Sequence, residues 1–151
     1  MEIGIRFEIE GKWDFYLNKI LNCIPTEKYT WRITNEEMIT EESMCAGGTS
    51  LSLNGIYHGN EVEEILPQKP YYVLFIQYNG FLNDTANAEE IKALQNHGDI
   101  AIYLVDVYYV ELYCRDQKEL ETIIEKVKET ITDQIERITT ETCNRVYWDR
   151  L

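Results

Sequence analysis

The stretch Asp99-Ile100-Ala101-Ile102-Tyr103-Leu104-Val105-Asp106-Val107-Tyr108-Tyr109-Val110-Glu111-Leu112-Tyr113-Cys114-Arg115-Asp116 decides the fold. From Ile100 to Val105 both alternating sets of positions are apolar, the pattern of a strand covered on both faces. Asp106 breaks the run. From Val107 to Cys114 the alternation is sharper: Tyr108, Val110, Leu112 and Cys114 fall on one face, and Glu111 marks the other as partly wet. The pattern predicts two adjacent strands joined at Asp106. The junction lacks the Asn-Gly or Asp-Gly signal of a tight hairpin, so one long bent strand reads the same way.

Asp116 then opens a helix. Its carboxylate can accept from the free N–H groups of the first turn, and Glu119 stands three residues on, as in a capping box. Leu120, Ile123, Ile124, Val127 and Ile131 repeat at helical spacing on one face, with Glu121, Glu125, Lys126, Lys128 and Glu129 on the others. Strand, strand and amphipathic helix are expected to share one core.

Outward from this centre the pattern continues. Ile3, Ile5, Phe7 and Ile9 alternate with polar residues and predict an N-terminal strand. Trp13, Tyr16, Leu17, Ile20, Leu21 and Ile24 predict a helix stopped by Pro25, and Tyr29, Trp31 and Ile33 a second strand. Leu51, Leu53 and Ile56 suggest a short edge strand, and Asn60 a cap for a short helix closed by Pro67. Tyr71 to Tyr78 reads as a strand, followed by loop signals at Asn79-Gly80 and Asn83-Asp84. Asn87 with Glu90 opens another helix, ended at Asn96-His97-Gly98. Ile135 to Thr140 reads as a strand that Val146 to Trp148 extends or pairs. The expectation is one α+β domain over 1–151, with a mixed sheet of about six strands and helices mainly on one face.

The chain of 151 residues has 27 Asp and Glu against 14 Lys and Arg, a formal net charge of −13. Such a surface repels phosphates and anionic lipid, which argues against nucleic acid and membranes as partners and suits a basic protein. Four cysteines, Cys23, Cys45, Cys114 and Cys143, stand far apart without a Cys-x-x-Cys pair; Cys23 and Cys114 fall on apolar faces and are expected as buried thiols. No secretory pattern and no apolar run of membrane-spanning length is seen, so a cytoplasmic protein is expected.

Candidate chemistry is sparse. Cys45 beside Gly47-Gly48, with His58 or His97, has the residue types of a thiol nucleophile and base, but Glu41 and Glu42 would raise the thiol pKa. His58 and His97 lack metal-ligand spacing, Glu61, Glu63 and Glu64 point different ways on a helix, and Gly47-Gly48-Thr49-Ser50 lacks the lysine of a phosphate loop. No metal and no cofactor is expected. Asp14 with Glu8 or Glu10 has the makings of a carboxylate pair, at a distance that sequence does not fix. No catalytic residue is expected; Asp106, an acid in the most apolar part of the chain, is the best single candidate on pattern alone, with Tyr108, Tyr109 and Tyr113 beside it as an aromatic patch.

The segments Gly4-Ile5-Arg6-Phe7-Glu8-Ile9 and Tyr29-Thr30-Trp31-Arg32-Ile33 carry a resemblance, as does Val105-Asp106 followed by Tyr109-Val110-Glu111-Leu112-Tyr113-Cys114-Arg115-Asp116. Together they resemble an uncharacterised family of small proteins from Bacillus-type bacteria, the domain of unknown function 2691 family, over nearly the whole chain. The stretch from Glu36 to Pro70 does not match its pattern. The resemblance implies a single-domain bacterial cytoplasmic protein and carries over no catalytic residue.

Function is therefore read from charge. The expectation is a non-enzymatic interaction or regulatory module that binds a basic protein, an immunity-type inhibitor of a basic toxin being one form. Glu36, Glu37, Glu41 and Glu42, with Trp31 nearby, are the expected contact region. The alternative is a small-molecule binder or enzyme with a pocket near Asp106.

Overall fold

The computed structural model describes residues 1–10, 14–42, 53–84 and 98–143. The elements run β1 (Glu2–Glu8), α1 (Tyr16–Leu21), a short 3-10 turn (Thr26–Lys28), β2 (Tyr29–Thr40), β3 (Gly55–His58), α2 (Glu61–Glu64), β4 (Tyr71–Leu82), β5 (Ile100–Val105), β6 (Tyr109–Cys114), α3 (Gln117–Thr130) and β7 (Glu136–Thr139). The described strands form one seven-stranded sheet in the order β3-β2-β4-β5-β6-β1-β7. The α+β class holds, but the sheet has seven strands and every described pairing is antiparallel, where about six strands and a mixed sheet were expected. The reason lies in β1: its neighbours are β6 and β7, not the β2 that follows it through α1.

The β5–β6 hairpin sits at the centre, as its apolar runs require. Ile100, Ile102 and Leu104 join the main core with Val110, Leu112 and Cys114, while Ala101, Tyr103 and Tyr113 form a second cluster on the opposite face. The described helices pack into the main core through Leu17, Ile20 and Leu21 of α1, Val62 of α2, and Leu120, Ile123, Ile124 and Val127 of α3. Asp116 caps α3 through the Glu119 amide at 3.0 Å. The Glu119 carboxylate instead faces Lys28 at 3.5 Å. Asn60 does not cap α2: it accepts the Thr26 hydroxyl at 2.7 Å.

Three departures from the sequence pattern share a cause in local packing. Strand β2 runs six residues past the Thr34 at which its alternation ends, because a bulge at Asn35 (φ 55°) shifts the register. That bulge turns Glu36 inward, where its carboxylate accepts the Met38 amide at 2.9 Å and the Leu53 amide at 3.3 Å. Asn79-Gly80 lies inside β4 instead of a loop. A Cβ on Gly80 would stand 2.9 Å from the Trp31 ring, so glycine is what lets the tryptophan lie against the strand. The helix expected from Asn87 and the strand over Val146 to Trp148 lie outside the described residues.

Candidate functional site

Among the described residues, a concave surface rich in polar groups lies where β1 ends. Two clefts meet there. One, of about 450 Å³, is lined by Arg6, Phe7, Glu8, Tyr109 and the 132–136 segment. The other, of about 460 Å³, is lined by Glu8, Ile9, Glu10, Asp14, Tyr16, Lys19 and the end of α3. They share Glu8, Thr132 and Gln134 and form one continuous groove.

Each wall has a local origin. Alternation along β1 puts Arg6 and Glu8 on the face away from the main core, opposite Glu111 and Tyr109 of β6. Arg6 is held by Glu111 at 3.7 Å and by Glu136 of β7 at 3.2 Å. Beyond β1 the Ile9 amide donates to the Tyr108 carbonyl at 2.8 Å, so the strand end and the hairpin tip stay together. Asp14 is fixed by a two-way backbone bridge to Tyr71, at 3.3 Å each way. Its carboxylate accepts the Phe15 amide at 2.8 Å on one oxygen and the Lys19 ammonium at 3.1 Å on the other. That ammonium also lies 5.1 Å from the centre of the Tyr16 ring. The far wall begins where α3 stops at Ile131, and the Thr132 hydroxyl accepts the Gln134 amide at 3.1 Å to shape the turn into β7.

At the hairpin tip Tyr108 and Tyr109 are both 39% exposed, with ring centres 4.4 Å apart and planes tilted by 38°. The Tyr109 hydroxyl is held above its ordinary pKa, first by its hydrogen bond with Tyr108 and by charge there, then by the carboxylates of Glu8 and Asp106. The sequence named Glu8, Glu10 and Asp14 as carboxylates of unknown separation; the sheet order places all three in one groove. It also named the tyrosines as a patch, but Tyr113 is fully buried. Lys19, Thr132 and Gln134 carried no signal: their place depends on which strand ends lie side by side. With both Asp14 oxygens engaged, the groove offers charge and ring faces more than a proton-transfer pair.

The other candidates fare differently. Trp31 is 0% exposed, its ring N–H bonded to the Thr26 carbonyl at 3.1 Å, and Glu36 is 5% exposed; neither can touch a partner, which corrects their place in the expected contact region. Glu37, Glu41 and Glu42 remain outside, Glu42 paired with Lys69. Asp106 is exposed in the turn with φ 53°, beside Val107 at φ 77°, and lines neither cleft. A third, smaller cavity at the start of α3 takes nothing from it either. His58 stands on the edge strand with its Nδ1 3.3 Å from the Thr30 hydroxyl, while Cys45 and His97 lie outside the described residues. Cys23 and Cys114 are buried thiols. Burial, the main cause, pushes the Cys114 thiol from 9.0 up to about 12. Among the described residues no three His, Cys, Asp or Glu side chains converge as a metal site, and no helix is long and apolar enough to cross a membrane.

No solved structure matches the chain. "Uncharacterized protein YncE" from Bacillus subtilis (strain 168) is 21% identical over 150 residues, spanning 96% of this chain and 97% of that protein. The family described as "Protein of unknown function (DUF2691)" matches residues 2–149. With that match over nearly its whole length, the chain belongs to the DUF2691 family.

Proposed function

We propose that this chain is a non-enzymatic, cytoplasmic binding module that captures a basic protein at the groove beside β1. One observation carries the reading. The groove places Glu8, Glu10, Asp14 and Glu136 against two cations, Arg6 and Lys19, each already paired with a carboxylate of the chain. Its balance is negative, in a molecule whose net charge of −13 steers cations toward it. An immunity-type inhibitor of a basic toxin is one form of this function. Asp106 itself is exposed at the hairpin tip and lines neither cleft.

The test compares the tagged chain with its Glu8→Lys/Glu10→Lys variant on host lysate, at low and high salt. A basic protein held by the wild type at low salt, weakened at high salt and lost in the variant supports the proposal. Equal retention by both chains contradicts it.

A further inference from the structure

We infer that the group this groove receives is a guanidinium: an arginine side chain of the partner, laid on the Tyr109 ring and paired with Glu8. The inference rests on the binding reading above and names the chemistry of that site.

The protein supplies its own precedent. Within the groove the Lys19 ammonium is held by a carboxylate and a tyrosine ring together, 3.1 Å from Asp14 and 5.1 Å from the centre of Tyr16. Glu8 and Tyr109 repeat those two components one subsite along. They are direct cross-strand partners, so their Cβ atoms stand about 5 Å apart on one face of the sheet. The Tyr109 ring is partly open to solvent and lies against the Tyr108 ring, their centres 4.4 Å apart. Glu8 is exposed. Arg6, a cation of the chain in the same cleft, is paired with Glu111 and Glu136. A cation arriving from outside finds a ring face and a carboxylate at once.

Arginine fits this arrangement better than lysine. A guanidinium is planar and weakly hydrated, so it stacks flat on the ring while its N–H fork reaches the carboxylate; an ammonium meets both groups only as a point charge, as Lys19 does, and gives up more hydration to do so. The open groove running on past Glu10 leaves room for the chain that carries the arginine.

The experiment titrates hexa-arginine and hexalysine peptides into the full chain by calorimetry at low salt. The chains compared are wild type, Glu8→Gln, Tyr109→Ala and Tyr109→Phe, each checked for its fold by circular dichroism. Exposed cation–π and ion-pair contacts are each worth about 2- to 5-fold in affinity. Glu8→Gln and Tyr109→Ala are therefore expected to weaken hexa-arginine binding by about that factor. Tyr109→Phe keeps the ring and should bind as wild type, and hexalysine should bind less tightly. Wild-type binding that neither Glu8→Gln nor Tyr109→Ala weakens overturns this inference and leaves the broader reading standing. Equal affinity for the two peptides overturns the preference for arginine. No binding of either peptide to the wild type overturns both.

Discussion

Replacing Glu36 with alanine separates a structural acid from a binding one. Its carboxylate is 5% exposed and accepts two backbone amides: Met38 at 2.9 Å, which is buried, and Leu53 at 3.3 Å, which is partly so. Leaving a buried donor without a partner costs about 1–3 kcal/mol. Water can reach the Leu53 amide more easily than the Met38 amide, so the two losses together come to about 2–3 kcal/mol. For a domain of this length that is a fall in melting temperature of roughly 4–12 °C. Glu36→Gln keeps one acceptor oxygen and should lose about half as much. Urea unfolding followed by circular dichroism reads the change as a lower midpoint at an unchanged slope. Binding of a cationic peptide should be the same in both variants, because Glu36 does not reach the surface. A Glu36→Ala chain within about 0.5 kcal/mol of wild type would refute the assignment of this acid to the bulge.

Other outcomes follow from single side chains. The Tyr78 hydroxyl is buried with no hydrogen-bond partner among the described residues, so Tyr78→Phe should be neutral or stabilise by up to about 1 kcal/mol in the same urea assay, where a bonded buried tyrosine would lose that much. Asp116→Ala removes the cap of α3 and should cost about 1 kcal/mol, read as a lower urea midpoint. Burial raises the Cys114 thiol from 9.0 to about 12, so the folded chain should resist iodoacetamide at this position at pH 8 and react in urea, as mass spectrometry of the modified peptide would show. Because the folded pKa is the higher one, the thiol's contribution to stability is whole below about pH 9 and is lost as the pH rises toward 12, where the unfolded chain gives up its proton first.

The centre of the fold was readable because its patterns are regular. Two apolar runs, an Asp cap and a helical stripe from Leu120 to Val127 need no tertiary context to be seen. The second half of β2 was hidden by the bulge at Asn35, which breaks the alternation that a strand is recognised by. Gly80 misled for a different reason: the residue that usually marks a turn is here the gap into which Trp31 fits. Trp31 and the Glu36–Glu42 acids look like one exposed cluster in the sequence, yet two of the five point inward once the strand register is set. The groove was legible in its carboxylates and in Tyr109. Its assembly was not, because it depends on β1 lying between β6 and β7, a neighbourhood fixed by residues more than a hundred positions apart.

The most direct measurement is a map of backbone amide shifts on the isotope-labelled chain as an arginine-rich peptide is added. The largest changes are expected at Glu8, Glu10, Tyr109, Thr132 and Gln134, fading as salt is raised. Changes concentrated instead at Glu37, Glu41 and Glu42, or spread evenly over the acidic surface, would contradict it.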